Sequence, residues 1–175
     1  MVKTLEQIEL LPLIGIRWDN KTIPLSASRE DIKNLLGEPD IVGERQLYYY
    51  FHNELCFHFD GNGKAEFIEF LGGPDGKLQP NIYGVPTFQT AADELYQILS
   101  GKNCGEVDDN ENGYSYSFLN ISVGVFRPRT PESVEDMAEE AEEEGEPMEE
   151  EELADERKKA NHWATIGIGI ENYYG

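Results

Sequence analysis

The sequence predicts an α+β fold built from two diverged repeats, each a short helix followed by a three-stranded meander. Three observations predict it. Several short runs alternate apolar and polar residues with the period of a half-buried strand. A short helical segment with capping signals precedes each group of runs. The pattern beginning at Tyr48 returns 66 residues later, at Tyr114. The expected sheet has roughly six antiparallel strands, with the helices on one face.

The two predicted helices have similar boundaries. Ser28 and Asp31 have the spacing of a capping box, and the helix that follows ends at Gly37. The second helix opens at Thr90, again with an acid three residues later, and ends at Gly101. Glycine favours these ends because it adopts the backbone conformations that terminate a helix.

The strands of the two repeats are matched position by position. The paired apolar positions are Tyr48, Tyr50, Leu55, Phe57 and Phe59 in the first repeat, and Tyr114, Tyr116, Ile121, Val123 and Val125 in the second. A third strand closes each meander, at 65–71 and at 163–170. We therefore expect one domain, 1–175, containing a first repeat at 15–73 and a second at 82–175.

The charge is concentrated in one segment. The 175 residues carry a net charge of −21, and the segment 131–160, with 15 acidic and 3 basic residues, supplies −12 of it. Thr130 and Gly145 read as the two ends of one helix there, and a second helical run follows Pro147. This acidic insertion, 131–161, interrupts the second repeat between its second and third strands. It is either a solvated, partly disordered loop or a docking surface for a basic partner.

Composition excludes several classes of protein. No run approaches 18 apolar residues, so no transmembrane helix is expected. The first six residues lack the apolar core of a signal peptide, which predicts a cytoplasmic location. The negative field should repel nucleic acid and anionic membranes and attract a basic protein. A monomer is expected, although an exposed sheet edge leaves pairing with a second copy open.

Few residues suggest chemistry. No hydrolase, phosphate-binding, dinucleotide-binding or zinc-protease motif is present, so no catalytic residue, metal or cofactor is predicted. Cys56 and His58 share one strand face and supply two possible metal ligands, which His162 or an acid would have to complete. If the protein is instead an enzyme with a dispersed site, then His58, Cys56 and Glu69 are its first candidates.

Some sequence patterns are similar to those of a known class of inhibitors. They cover most of the chain except the acidic insertion: Gly15-Ile16-Arg17-Trp18, Leu36-Gly37-Glu38-Pro39, the hairpin 48–60, Phe67-Ile68-Glu69-Phe70 and Ile166-Gly167-Ile168-Gly169. With the acidity, they resemble immunity proteins of bacterial polymorphic-toxin and contact-dependent growth inhibition systems. The duplicated helix-plus-meander is also similar to the architecture of β-lactamase-inhibitory proteins.

The resemblance implies a cytosolic protein that neutralises a basic, nuclease-type toxin by covering its active site or an exosite. The expected contact residues combine acids with exposed aromatics: Glu139, Glu140, Glu142, Glu143, Glu144, Glu149, Glu150, Glu151, Glu152, Tyr48, Tyr49, Asp108 and Asp109. A general acidic interaction protein, or a mimic of nucleic acid without a toxin partner, is the alternative.

Overall fold

A computed structural model describes residues 7–175, which form two β-sheets and four α-helices. Residues 1–6, on which the expectation of no signal peptide rests, lie outside the described residues. The strands are β1 (Ile8–Leu11), β2 (Gly15–Trp18), β3 (Lys21–Pro24), β4 (Ile41–Val42), β5 (Tyr48–Tyr50), β6 (Leu55–Phe59), β7 (Ala65–Phe70), β8 (Asn81–Ile82), β9 (Val85–Pro86), β10 (Val107–Asp108), β11 (Ser115–Phe118), β12 (Val123–Phe126) and β13 (Thr165–Gly169). The helices are α1 (Arg29–Leu36), α2 (Ala92–Asn103), α3 (Pro131–Glu143) and α4 (Glu150–Ala160).

The α+β class is confirmed, and the main sheet is larger than predicted. Its order is β10-β11-β12-β13-β7-β6-β5-β4, antiparallel throughout. The six predicted strands lie side by side in it, and the two meanders meet where β13 pairs with β7. The short strands β4 and β10 extend the two edges. Duplication of an ancestral unit stays a prediction, since neighbouring strands can also arise without it.

A second sheet was not predicted. Its order is β3-β2-β1-β8-β9, and β1 pairs with β8 in parallel although some seventy residues separate them. Strands of two to four residues are too short for the alternating pattern to stand out, and a pairing so distant in sequence leaves no local signal. The buried side chains of this sheet, Ile8, Leu10, Ile16, Ile23 and Ile82, belong to the same core as the main sheet.

One face of the main sheet forms most of the core. The cross-strand register aligns Tyr48, Phe57, Ile68, Ile168, Val123 and Phe118 in one row on this face. Both α1 and α2 pack here, as predicted: Arg29 and Lys33 of α1 lie over the Tyr48 ring, and Tyr96 of α2 contacts the rings of Tyr116 and Phe118.

The capping prediction is confirmed for α1 and wrong for α2. The Ser28 hydroxyl accepts from the Asp31 amide, the Asp31 carboxylate accepts from the Ser28 amide, and Gly37 ends α1. By contrast, Thr90 donates its hydroxyl to the Pro86 carbonyl, and α2 begins after Ala91 without a side-chain cap. The α2 helix also continues past Gly101 to Asn103, because the Asn103 side chain is held by a neighbouring loop.

The acidic insertion is an ordered helical hairpin, α3 and α4. Thr130 caps α3 through a reciprocal bond with Ser133, as predicted, and Pro131 occupies the first helical position. Gly145, at φ 79°, lets the chain turn after α3: its amide bonds to the Glu142 carbonyl, and that of Glu146 to the Ala141 carbonyl. This pattern is the Schellman motif, which satisfies the free carbonyls at a helix end.

Candidate functional site

The hairpin is anchored at its base by one buried arginine. Arg127, 5% exposed, donates from Nη1 to the Ala160 carbonyl at 2.6 Å and from Nε to the Gly113 carbonyl at 2.9 Å. Its guanidinium lies 4.7 Å from the centre of the Trp163 ring. Burial lowers the pKa of Arg127 from its ordinary value. The end of α4 is therefore tied to the sheet through a side chain that donates two hydrogen bonds and stacks on Trp163.

The basic residues of the hairpin form ion pairs with carboxylates of the same chain. Arg157 bonds Glu135 across the two helices at 3.2 Å, and Lys158 reaches Asp75 in the adjoining loop at 3.0 Å. Lys159 pairs with two acids of its own helix. These bonds all lie in the half of the hairpin next to the sheet. Carboxylates farther out have no neutralising cation beside them.

The far end of the hairpin is a dense group of carboxylates, which we call the acidic tip. Its eight members, all exposed, are Glu142, Glu143, Glu144, Glu146, Glu149, Glu150, Glu151 and Glu152. Within residues 7–175 no ion pair involves any of them. The predicted contact residues Glu139 and Glu140 lie exposed just before it on α3.

The remaining predicted contact residues do not join the tip. Tyr48 is 5% exposed and packs in the core, so the structure removes it from the candidate surface. Tyr49 points to the opposite sheet face and is half-buried. Asp108 and Asp109 are exposed on the edge strand β10 and after it. Six strand spacings, about 29 Å, separate β10 from Tyr49 on β5, so these residues make no single patch with one another.

Three residues from the dispersed-site alternative do come together. Cys56 on β6 lies directly opposite Glu69 on β7, and His58 follows on the same face of β6. His58 Nε2 is 2.9 Å from Glu69 Oε1, and the ligand atoms of all three lie within 4.8 Å of one another. His162 is not part of this cluster, because its ring bonds the Lys158 carbonyl at the end of α4.

The sulfur of the cluster is shielded from solvent, whereas the other two side chains are partly exposed. Cys56 is fully buried, whereas the side chains of His58 and Glu69 are 27% and 21% exposed. Burial, and then the charge of Glu69, raise the pKa of Cys56 to about 12. A thiol held so strongly protonated is a poor nucleophile, which argues against a Cys–His hydrolase.

An aromatic layer covers the sheet beside the cluster. Phe67 meets the His58 ring edge-to-face at 5.3 Å and stacks on Tyr173 at 4.6 Å. A Cβ at Gly167 would overlap the Phe67 ring, and one at Gly124 would overlap Tyr174. Glycine at these positions of β12 and β13 lets the aromatic rings approach the sheet closely. The two C-terminal tyrosines therefore belong to the fold and not to a free tail.

The exposed turn between β5 and β6 has an unusual backbone. Phe51, His52 and Asn53, between β5 and β6, all have positive φ angles of 55–69°. Phe51 is 37% exposed and stacks on Trp18 at 5.0 Å, between two open cavities of about 360 and 390 Å³. Left-handed backbone at three consecutive residues other than glycine is costly, and such strain concentrates at functional sites.

Comparison with protein-family models, curated proteins and solved structures gave no match. Across the described residues, none of the helices has both the length and the apolar character needed to cross a membrane.

Proposed function

We propose that the protein binds and neutralises a basic, nuclease-type bacterial toxin, with the acidic tip as its main electrostatic contact. One observation carries the proposal: eight exposed carboxylates occupy the end of an ordered hairpin whose own cations are all paired elsewhere. Concentrated charge of one sign raises the folding cost through self-repulsion. A binding role would offset that cost.

The dimensions of the hairpin suit insertion into a cleft. The 13 residues of α3 span about 20 Å at 1.5 Å per residue. The cleft of a nuclease is basic because it holds phosphates, so carboxylates entering it replace the negative charge of the substrate. Opposite long-range fields would also accelerate encounter between the two proteins.

The rigidity of the hairpin supports the same function. Arg127 at the base, the Thr130 cap and the Gly145 turn fix its shape before any partner arrives. A preorganised surface loses less conformational entropy on binding than a flexible acidic loop would. The proposal therefore favours the docking-surface interpretation of the insertion over the solvated-loop interpretation.

The test compares two variants with equal net charge. The tip variant replaces Glu143, Glu146, Glu150 and Glu151 by Gln, and the body variant replaces Glu30, Glu44, Glu94 and Glu111 by Gln. All eight positions are exposed. Each tagged protein captures partners from the source organism, and mass spectrometry identifies them.

We expect a basic protein that wild type and the body variant capture and the tip variant loses by at least about tenfold. An equimolar amount of wild type should abolish cleavage of nucleic acid by that protein. Its association rate should fall steeply as salt is raised.

Equal capture by all three proteins would contradict a contact at the tip. A partner with no nuclease activity would support the alternative of a general acidic interaction protein. Association unchanged between low and high salt would rule out electrostatic steering.

A further inference from the structure

We propose that Cys56, His58 and Glu69 form a binding site for zinc or a similar divalent transition metal. The three come from neighbouring strands: Cys56 and Glu69 are cross-strand partners in the β6–β7 ladder, and His58 is two residues along β6 on the same face. Their ligand atoms lie within 4.8 Å of one another. This site lies on the sheet face and involves none of the acidic tip, so it goes beyond the proposed function.

The donor set selects the class of metal. Thiolate sulfur, imidazole nitrogen and carboxylate oxygen are the three ligand types that zinc takes in proteins. Calcium and magnesium prefer all-oxygen sites, so a buried sulfur disfavours them. Three protein ligands leave a fourth tetrahedral position open, as in catalytic rather than structural zinc sites.

The geometry needs only small adjustments to bind a metal. Ligand atoms around tetrahedral zinc are about 3.3–3.8 Å apart, given bond lengths of about 2.0–2.3 Å. The cluster is within about 1 Å of that spacing before any metal enters. His58 and Glu69 hold each other through the 2.9 Å contact between Nε2 and Oε1, and a metal would take the place of that shared proton.

A structural ion pair explains only part of the cluster. The His58–Glu69 pair accounts for those two side chains, but it gives no reason to place a fully buried thiol against a carboxylate. A bound dication gives both groups a common partner, because it deprotonates a coordinating thiol and attracts the carboxylate.

The surroundings suit a metal with one exchangeable position. The Phe67 ring packs edge-to-face on His58 and limits its rotation. Tyr49 is the cross-strand neighbour of Cys56 in the β5–β6 ladder and lies beside the sulfur. Both His58 and Glu69 keep an exposed part, through which an ion can enter from solvent.

The test uses Zn²⁺ and Co²⁺ with chelator-treated full-length protein. Calorimetry should show one tight zinc site per chain. Cobalt should give a thiolate-to-metal charge-transfer band together with the visible bands of a tetrahedral site, and zinc should displace both. The band reports sulfur ligation directly, so it does not depend on whether a variant folds.

Cluster variants and matched controls locate the site. Cys56→Ala, His58→Gln and Glu69→Gln should each weaken zinc affinity more than about 100-fold, because even outer-shell partners are worth 10–100-fold. The controls, Cys104→Ser, His162→Gln and the tip variant, should keep full affinity. Circular dichroism checks that each variant folds, and the half-buried His58 and Glu69 can be changed without opening the core.

Three results would overturn the site: no stoichiometric zinc, a cobalt complex without the sulfur band, or tight binding that survives the cluster variants. Loss of binding only in Cys104→Ser or the tip variant would place the metal elsewhere. None of these outcomes depends on whether the acidic tip binds a toxin.

Discussion

Asn103 connects the end of α2 to the loop between β11 and β12. Its Oδ1 accepts the amides of Asn120 at 2.8 Å and Ile121 at 3.1 Å, and its Nδ2 donates to the Glu106 carbonyl. It is 2% exposed. Asn103→Ala should therefore lower the free energy of unfolding by about 2–4 kcal/mol, since several buried polar groups lose their partner.

Urea denaturation measures this loss, and Asn103→Asp is the control. The aspartate keeps the Oδ1 acceptor for both amides, but when ionised it buries a charge against the Glu106 carbonyl. Its loss should therefore be the smaller of the two only at acid pH, where the protonated oxygen donates in place of Nδ2. A cost below about 1 kcal/mol for alanine would mean that water replaces the side chain at this position.

The two cysteines should differ strongly in reactivity. Burial and Glu69 hold the pKa of Cys56 at about 12, which leaves roughly one thiolate in ten thousand at pH 8. Cys104 is exposed. We expect one equivalent of a thiol reagent to react rapidly with native protein and a second only after unfolding. Fast labelling that persists in Cys104→Ser would show that the sheet opens at Cys56.

At the scale of elements, the charge of the acidic tip interacts unfavourably with the dipole of α3. Glu142 and Glu143 occupy the last turn of α3, which holds no basic residue, whereas Glu150 occupies the first turn of α4. The helix dipole disfavours acids at the C-terminal end of α3 and favours them at the N-terminal end of α4. Repulsion among Glu149–Glu152 weakens α4, and the favourable position of these acids at the start of the helix offsets part of that effect.

Glu143→Lys should stabilise the hairpin by about 0.3–1 kcal/mol, since it places a cation at the negative end of α3. Glu150→Lys makes the same charge change at the positive end of α4 and should gain less or lose stability. Hydrogen exchange of α3 and α4 amides measures each effect. Equal gains in both variants would mean that general repulsion, not the helix dipoles, governs the tip.

Elements with local signals were predicted well, and those set by distant contacts were not. The Ser28 cap, the Thr130 cap and the Gly145 turn each depend on residues within a few positions, and each is confirmed. Thr90 had the same spacing as a cap but bonds Pro86 instead. The second sheet needs the parallel pairing of β1 with β8, which no local pattern encodes.

The candidate sites show the same division. The sequence predicted that Cys56 and His58 share one sheet face, because residues two apart on a strand point to the same side. The approach of Glu69 depends on the register between β6 and β7, which has no local signal. The acids of the insertion were grouped by composition alone, and the structure places eight of them at the far end of the hairpin. Tyr48 and Tyr49 were not separable by sequence, because four consecutive aromatics place rings on both faces and only packing decides which face is the core.

At the scale of the whole molecule, more than half of the net charge projects from one end of the sheet. Salt should therefore stabilise the protein by weakening the repulsion between these carboxylates. The Debye screening length falls from roughly 20 Å at 0.02 M salt to about 4 Å at 0.5 M. We expect the melting temperature of wild type to rise by about 2–4 °C over that range, about 1 kcal/mol for a chain of this size. Differential scanning calorimetry measures it.

The tip and body variants separate local from global repulsion. The tip variant should start at a higher melting temperature in low salt and gain less from added salt. The body variant should follow wild type closely. Identical behaviour of the two variants would mean that total charge, and not its concentration at the tip, sets the salt response.

The hairpin leaves the sheet between two strands that are themselves paired, since Phe126 and Thr165 are direct neighbours across β12 and β13. The two ends of the inserted segment are therefore about 5 Å apart. Each doubling of the segment's length would raise the entropic free-energy cost of closing it by only about 0.6 kcal/mol. Substitutions, insertions or deletions in the hairpin beyond Arg129 can thus occur without altering the pairing of β12 with β13. The hairpin can therefore diverge in length and sequence while the ladder beneath it is kept.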